Sequence, residues 1–260
     1  MRRYDVGAFS ATGIRVNQSN GKAYFGNTSP GQLIELDPTT NAVKKWSTGN
    51  NPHFLVLDAL GRIYATAFTG GGFPDQIIRL DPTTNVITRW TIPSGGLQSF
   101  VGFGTPNFIT QDLEGQIWFS ETASNEYGRL NPVTNVFEEF TKPGISTPHG
   151  IGASGAGPTL QMFGQEAGGN TTDILTRAAA TPATTAVVPS TSVVTPAPST
   201  ATFVDFVSPP GEVHHPDDGY LDEQRSQRHR PLPAAAGRVY ADELDPGRLS
   251  QHHLRLGRGV

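Results

Sequence analysis

A six-residue phrase occurs three times in this chain, at 36–41, 80–85 and 130–135. The first two copies read Leu-Asp-Pro-Thr-Thr-Asn, and the third reads Leu-Asn-Pro-Val-Thr-Asn. The second copy begins 44 residues after the first, and the third begins 50 residues after the second. Self-similarity at such a period is typical of repeat architectures, in which small supersecondary units stack on their neighbours. This phrase therefore constrains the fold more than any other feature of the sequence.

Short alternating segments recur around every copy of the phrase. An apolar run that begins with glycine comes first, an alternating segment leads into the phrase, and a segment with an aromatic end follows it. In the first repeat these segments are 21–25, 32–36 and 42–46. Period-two alternation of β-branched and aromatic residues predicts strands rather than helices. In the phrase, proline fixes φ and the last Asn tolerates a left-handed conformation, so we expect a hairpin turn there.

A fourth segment precedes the glycine-started run, at 52–58, 106–112 and 148–152. Four short antiparallel strands per repeat form the blade of a β-propeller. We predict an all-β chain: a β-propeller of four-stranded antiparallel blades over 1–177, with three clear blades and a degraded fourth. The strands of that fourth blade would lie near 159–163 and 172–176. Since six or seven blades at this period need roughly 270 to 315 residues, the propeller is expected to be incomplete.

The composition changes twice after the blades. Residues 178–210 are mostly Ala, Thr, Pro, Ser and Val, which fits either a flexible linker or degenerate strands. The sequence favours a strand at 202–207 and leaves the rest of this segment open. Residues 211–260 lack Thr, Asn, Ile, Phe, Lys and Trp but carry seven Arg and five of the seven His. They are predicted to be an irregular tail, either disordered or translated from a shifted reading frame, and its histidines are expected to have no function.

Charge and composition exclude several kinds of partner. With a net charge of −4, nothing favours binding to nucleic acid or to an anionic membrane. No run is long enough to span a membrane, and the absence of cysteine excludes disulfides and thiolate metal sites. No signal peptide is visible, so we expect a cytoplasmic monomer, or a secreted one if the N-terminus is truncated. The expected partner is a small molecule or peptide at the mouth of the channel.

Candidate site residues follow from comparing equivalent positions in the blades. The residue after the first proline of the innermost strand is His53, Asn107 and His149 in three successive blades. Because the innermost strands line the channel, these three side chains are expected to form part of a ring at one mouth. Imidazole groups around a tunnel suit acid–base chemistry or a divalent cation. The alternative is that these polar groups only satisfy backbone atoms in the channel.

Carboxylates are the second class of candidate. Fourteen residues after His53 and Asn107 stand Ala67 and Glu121, and Glu166 is the loosely matching position of the fourth blade. Asn27 is the counterpart in the first blade. We expect Glu121 to lie close to the ring of histidines, because two titratable groups that converge on one opening are typical of a functional site.

One blade carries a family resemblance. It reads Gly-Gln-Ile-Trp-Phe-Ser-Glu at 115–121, Asn-Glu-Tyr-Gly-Arg-Leu at 125–130 and Pro-His-Gly-Ile at 148–151. These motifs closely resemble a blade of the streptogramin B (virginiamycin B) lyase-like propellers, and the similarity covers about residues 15 to 166. The resemblance implies a seven-bladed propeller that opens a cyclic depsipeptide by elimination at its ester, with the help of Mg²⁺.

The resemblance also implies roles for particular residues. His149 would be the catalytic acid–base group, Glu121 and Glu166 would be metal ligands, and His53 and Asn107 would bind substrate. Asn107 stands where the family pattern has a histidine, so the chain would be an active carbon–oxygen lyase or an impaired, incomplete one. Two other functions are kept: a non-catalytic propeller that binds or scaffolds a peptide or glycan, and, with less support, a metal-dependent lactonase-type hydrolase.

Overall fold

The computed structural model of the protein describes residues 2–8, 10–68, 74–94, 106–122, 124–141, 147–166, 171–176 and 182–205. Within these ranges the chain is almost entirely β-structure, with one 3₁₀ turn at Gly157–Thr159. The predicted all-β propeller of antiparallel blades is therefore confirmed. In the part of the chain that the structure describes, no helix is long and apolar enough to cross a membrane. The predicted tail at 211–260 lies outside the described residues.

The strands follow one another blade by blade. The chain begins with β1 (Arg2–Asp5). Blade 1 contains β2 (Ala11–Val16), β3 (Ala23–Asn27), β4 (Gln32–Asp37) and β5 (Ala42–Ser47). Blade 2 contains β6 (Asn51–Leu57), β7 (Ile63–Phe68), β8 (Gln76–Asp81) and β9 (Val86–Thr91). Blade 3 contains β10 (Pro106–Gln111), β11 (Ile117–Glu121), β12 (Glu126–Asn131) and β13 (Val136–Thr141). Blade 4 contains β14 (Pro148–Ser154), β15 (Gln161–Glu166) and β16 (Thr172–Thr176).

The repeated phrase forms the turn between the third and fourth strands of its blade. In the first copy the Asp37 carboxylate accepts hydrogen bonds from the backbone N–H groups of Thr39 (2.9 Å) and Thr40 (3.3 Å). Asn41, Asn85 and Asn135 close the three turns, each with φ of 60°. A short polar side chain tolerates this left-handed conformation better than most others. The predicted turn mechanism is confirmed.

Apolar clusters hold consecutive blades together. Trp46 of blade 1 packs with Leu55 and Ile63 of blade 2, and Trp90 of blade 2 packs with Phe119 of blade 3. Trp118 of blade 3 packs with Met162 of blade 4, which confirms the fourth blade. The innermost strands β2, β6, β10 and β14 contact one another in sequence. In blades 2 and 3, side chains that point to the two faces of the blade therefore face two different neighbouring blades.

Residues 183–205 form four more strands, which we call the return segment. They are β17 (Ala183–Ala186), β18 (Ser190–Val193), β19 (Ala197–Thr200) and β20 (Thr202–Asp205). β17, β18 and β19 pair antiparallel with β13, β9 and β5, so the segment adds a fifth strand to blades 3, 2 and 1 in that order. β20 pairs with β1. The alternatives left open by the sequence are thus decided in favour of strands rather than a flexible linker.

Candidate functional site

A β-bulge interrupts the innermost strand of blades 2, 3 and 4 at the same place. The pairing with the next strand shifts between Pro52 and Leu55 in blade 2, and at the matching positions of β10 and β14. The residues inside the three bulges include His53, Asn107 and His149. A bulge re-aims its side chains and is common next to functional sites. Three of the five predicted site residues therefore occupy structurally equivalent positions.

We call His53, Asn107 and His149 the polar row. His53 lies near enough to the other two for both to affect its protonation. The Phe54 and Phe108 rings, which follow the first two members of the row, stack with centroids 3.9 Å apart. The His53 ring lies 4.4 Å from that of Phe54, and the His149 ring lies 4.5 Å from that of Phe108. The structure thus brings the row together beside an aromatic pair that the sequence analysis did not include.

The environment of His53 keeps its imidazole neutral. Burial lowers the pKa of His53, a hydrogen-bonding contact with Asn107 acts in the opposite direction, and the nearby His149 lowers the pKa further. The net result is a pKa below the usual value for histidine. A neutral imidazole has one nitrogen that can accept a proton or a hydrogen bond near pH 7. His53 is therefore suited to contact a polar substrate group or to accept a proton.

Hydroxyl groups of the second strands fix the bulges. The Ser120 hydroxyl donates to the backbone oxygen of His149 (2.7 Å) and accepts from the backbone N–H of Phe108 (3.1 Å). Thr66 makes the same two contacts one blade earlier, donating to the Asn107 oxygen (2.6 Å) and accepting from the Phe54 N–H (3.2 Å). Each hydroxyl therefore ties the bulge of its own blade to that of the next.

The strand register confirms which residues are equivalent between blades. Pro106 pairs with Glu121 and Pro148 pairs with Glu166. In blades 2 and 1 the same place in the second strand is taken by Ala67 and Asn27. The four positions inferred from spacing alone are thus the same position of the blade.

Glu121 does not lie on the side of the polar row. Its neighbours Ser120 and Thr122 both donate hydrogen bonds to backbone oxygens of β14, at 2.7 Å in each case. Side chains alternate along a strand, so Glu121 points to the other face of blade 3, toward blade 2. There its carboxylate accepts a short hydrogen bond from the hydroxyl of Ser94, which follows β9. The expectation that Glu121 joins the ring of histidines is corrected by this alternation.

Glu121 belongs instead to a group of three carboxylates, which we call the acidic cluster. Glu121, Glu126 and Glu139 come from β11, β12 and β13, and each offers an oxygen within 4.8 Å of the others. Burial raises the pKa of Glu121 to about 8, the hydrogen bond from Ser94 works against this, and the charges of Glu139 and Glu126 raise it further. In the metal-free protein this carboxyl is therefore mostly protonated at pH 7.

Glu166 lies in a different gap between blades. Its strand alternates so that Met162 and Glu166 share the buried face, and Met162 packs on Trp118 of blade 3. The Thr171 hydroxyl donates to the Glu166 carboxylate at 2.6 Å. Glu121 lies between blades 2 and 3, whereas Glu166 lies between blades 3 and 4. The structure does not bring these two predicted metal ligands together.

Sequence reasoning missed Ser94, Glu126, Glu139 and the hydroxyls of Thr66 and Ser120. Thr66 and Ser120 could have been found, because they stand immediately before Ala67 and Glu121, the equivalent positions of the second strand. Glu126 could also have been found, because it pairs directly with Glu121 across the β11–β12 hairpin. Ser94 carries no such signal, since only the packing of one blade on another brings it to the cluster.

The comparisons with known proteins agree with this architecture. A solved streptogramin B lyase structure matches with a TM-score of 0.54 and 19% sequence identity, over 72% of this chain and 58% of that chain. The fold is similar to that of a streptogramin B lyase. The chain spans less than two thirds of the length of that lyase. A catalytically inactive virginiamycin B lyase from Staphylococcus aureus with quinupristin matches with a TM-score of 0.48 and 20% identity, over 63% of this chain and 54% of that chain. The sequence matches no family model and no curated protein.

Proposed function

We propose that the protein is a lyase-like propeller that opens a cyclic depsipeptide by elimination at its ester. The observation that carries the proposal is the polar row: three equivalent bulges bring two imidazoles and a carboxamide to one end of the inner strands. The similarity in fold to a streptogramin B lyase supports the same reaction class, although the match itself concerns the architecture alone.

The row supplies the groups that such an elimination needs. A base removes the proton α to a carbonyl, and the electrons of that C–H bond form a C=C bond to the neighbouring β carbon. The bond between this β carbon and the ester oxygen breaks, and its electron pair leaves with the carboxylate. We assign the proton transfer to His149, whose backbone is held by Ser120. His53, kept neutral by burial, and Asn107 would orient the ester and its neighbouring amides. The stacked Phe54 and Phe108 rings give the site an apolar wall.

The resemblance implies Mg²⁺, which would stabilise the negative charge on the carbonyl oxygen when bound. The residues it assigns to the metal do not fit one ion, because Glu121 and Glu166 lie in separate gaps between blades. No step of the proposed elimination is therefore assigned to a metal, and the Mg²⁺ requirement stays a prediction.

The test is incubation of the full chain with a cyclic depsipeptide, followed by mass analysis of the product. Elimination gives a linear product of unchanged mass, whereas hydrolysis adds the mass of one water and would point to the lactonase-type alternative. We expect His149→Ala to abolish turnover and His53→Gln to weaken it. His214→Ala is the matched control, because it removes a histidine of the tail. Turnover that persists in His149→Ala would overturn the assignment.

A second candidate, a non-catalytic module that binds a peptide or glycan, is favoured by one observation. The stacked Phe54 and Phe108 rings form a platform of the kind that aromatic or sugar rings pack against. For such a module, we expect saturable binding without turnover in calorimetry. Binding would be retained in His149→Ala and lost in Phe108→Ala.

A further inference from the structure

We propose that the acidic cluster of Glu121, Glu126 and Glu139 is a site for a divalent cation that prefers oxygen ligands, such as Ca²⁺. The site is separate from the polar row and does not depend on the proposed function. Three neighbouring strands of blade 3 present the carboxylates. Glu121 pairs with Glu126 across one hairpin, and Glu139 pairs with Gly128 across the next. Ligands on adjacent strands of one sheet are held in fixed positions, as a metal site requires.

The cluster contains a buried oxygen that lacks a partner. The Glu121 side chain is fully buried, with 0% of its surface exposed. Its Oε2 atom accepts hydrogen bonds from the hydroxyls of Ser94 and Ser124, the latter at 3.2 Å. Its Oε1 atom is buried and has no hydrogen-bond partner among the residues that the structure describes. A buried carboxylate oxygen without a partner is costly, and a cation would satisfy it directly.

The arginine of blade 3 lies on the face of the sheet away from the cluster. The basic side chain of this blade, Arg129, forms its ion pair with Glu138 on the other face of the sheet. That arginine therefore does not neutralise the cluster. Three carboxylates within 4.8 Å of one another call for a positive charge at their centre.

The ligand set indicates the kind of ion. All three candidate ligands are carboxylates, and the nearby Ser94 hydroxyl is also an oxygen. Hard cations such as Ca²⁺, Mg²⁺ and Mn²⁺ prefer oxygen ligands, whereas Zn²⁺ and Cu²⁺ favour sites with nitrogen or sulfur. The imidazoles of the polar row, which would suit those softer ions, lie on the other side of β11.

Blade 1 shows what the same place looks like when it is built from neutral groups. The positions of Glu121 and Glu126 are there occupied by Asn27 and Gln32, which face each other across β3 and β4. The Asn27 amide donates to the Gln32 side-chain oxygen at 3.3 Å. The amide pair is neutral and satisfies itself, whereas the carboxylate pair of blade 3 has no proton to share once both groups are ionised. This difference supplies a matched control within the chain.

The experiment is calorimetric titration of the full chain, stripped with EDTA, with Ca²⁺, Mg²⁺ and Mn²⁺ in turn. We expect saturable binding of one ion per chain and an increase in melting temperature with the bound ion. Glu121→Gln should weaken the affinity at least tenfold. The double variant E121N/E126Q, which installs the amide pair of blade 1, should abolish binding while the protein stays folded in EDTA by circular dichroism.

Three variants separate this site from the other predictions. We expect Glu166→Gln, His53→Gln and His149→Ala to bind the ion as the unaltered protein does, whatever their effect on turnover. Failure of the unaltered protein to bind any of the three ions at millimolar concentration would overturn the proposal. Binding of unchanged affinity in folded E121N/E126Q would overturn it as well. Loss of depsipeptide turnover, by contrast, would bear on the polar row alone.

Discussion

The indole N–H of Trp90 donates a hydrogen bond to the side-chain oxygen of Asn135, at 2.8 Å. Trp90 lies one residue before the end of the fourth strand of blade 2, and Asn135 closes the repeated turn of blade 3. The same link joins Trp46 of blade 1 to Asn85 of blade 2 at 3.0 Å. The last residue of the phrase thus serves both its own turn, through its left-handed backbone, and the preceding blade, through its side chain.

This series of links has two ends. In blade 3 the tryptophan position is taken by Phe140, which has no N–H to donate. In blade 1 the turn residue Asn41 has no preceding blade within the described residues, and its Oδ1 atom is buried without a hydrogen-bond partner. Asn41 therefore adopts the same backbone conformation as Asn85 and Asn135 but lacks their inter-blade bond.

Replacing these asparagines with glycine should separate the two roles. Glycine keeps the left-handed turn and removes the side-chain acceptor. Asn85→Gly and Asn135→Gly leave an indole N–H without a partner, so each should lower the free energy of unfolding by about 1–3 kcal/mol more than Asn41→Gly does. Urea denaturation measures the difference. Equal losses in all three variants would mean that the indole bonds contribute nothing.

Removing the Ser120 hydroxyl should loosen the His149 bulge. Ser120→Ala loses one bond to the His149 oxygen and one from the Phe108 N–H, so we expect a destabilisation of about 1–3 kcal/mol. Thr66→Val, which keeps the shape of its side chain, should cost a similar amount. Ser199→Ala on the exposed β19 is the control and should change stability by less than about 0.5 kcal/mol. If chemical denaturation gives as small a loss of stability for Ser120→Ala as for this control, the bridging role is contradicted.

Every seventh residue of the return segment should anchor it to the blades. Val187, Val194 and Ala201 pack on the apolar clusters between or beside the blades, and their backbone N–H groups donate to the oxygens of the three turn asparagines. Val194→Ser should therefore lower the free energy of unfolding by about 1–2 kcal/mol and speed proteolysis within 190–200. Its neighbour Val193, which is 73% exposed, provides a matched control. Equal protease sensitivity of the two variants would rule out this anchoring.

The metal-free protein should lose stability as the pH rises. The pKa of Glu121 is raised to about 8 in the folded protein from an ordinary value of 4.5, so the folded state holds the proton more tightly. Its contribution to stability is fully present below pH 4.5 and is lost as the pH rises through about 8. We expect a loss on the order of a few kcal/mol, measured by thermal unfolding in EDTA. Glu121→Gln should abolish this decrease of stability with rising pH. A decrease that persists in the variant would have to come from other groups.

Much of the fold could be predicted because its signals are local. The alternation of each segment and the Asp-Pro-Thr-Thr-Asn turns located the strands of blades 2 and 3, and spacing alone matched Glu121 to Ala67. The polar row was also predictable, since His53, Asn107 and His149 hold one position in three repeats. Glu121 was placed on the wrong side because spacing gives the position along a strand, while the face follows from strand alternation and from which blade packs there.

The return segment also shows the difference between what local sequence predicts and what packing decides. The sequence favoured a strand at 202–207 and left the rest of the segment open between a linker and strands. The structure pairs β17, β18 and β19 with the outer edges of blades 3, 2 and 1. Seven extended residues span at most about 23 Å, which limits the step from one blade to the next. Pairing at a sheet edge uses backbone groups that every residue carries, so composition cannot reveal the partner strand.

The amino-acid sequence by itself determined the blades, their turns and the equivalence of positions between them, because each depends on residues close together in the chain. Only the tertiary structure decided that Glu121 meets Ser94 of blade 2 rather than the histidines. That outcome depends on which face of β11 meets blade 2, and side chains from separate blades meet there only after the blades have packed together.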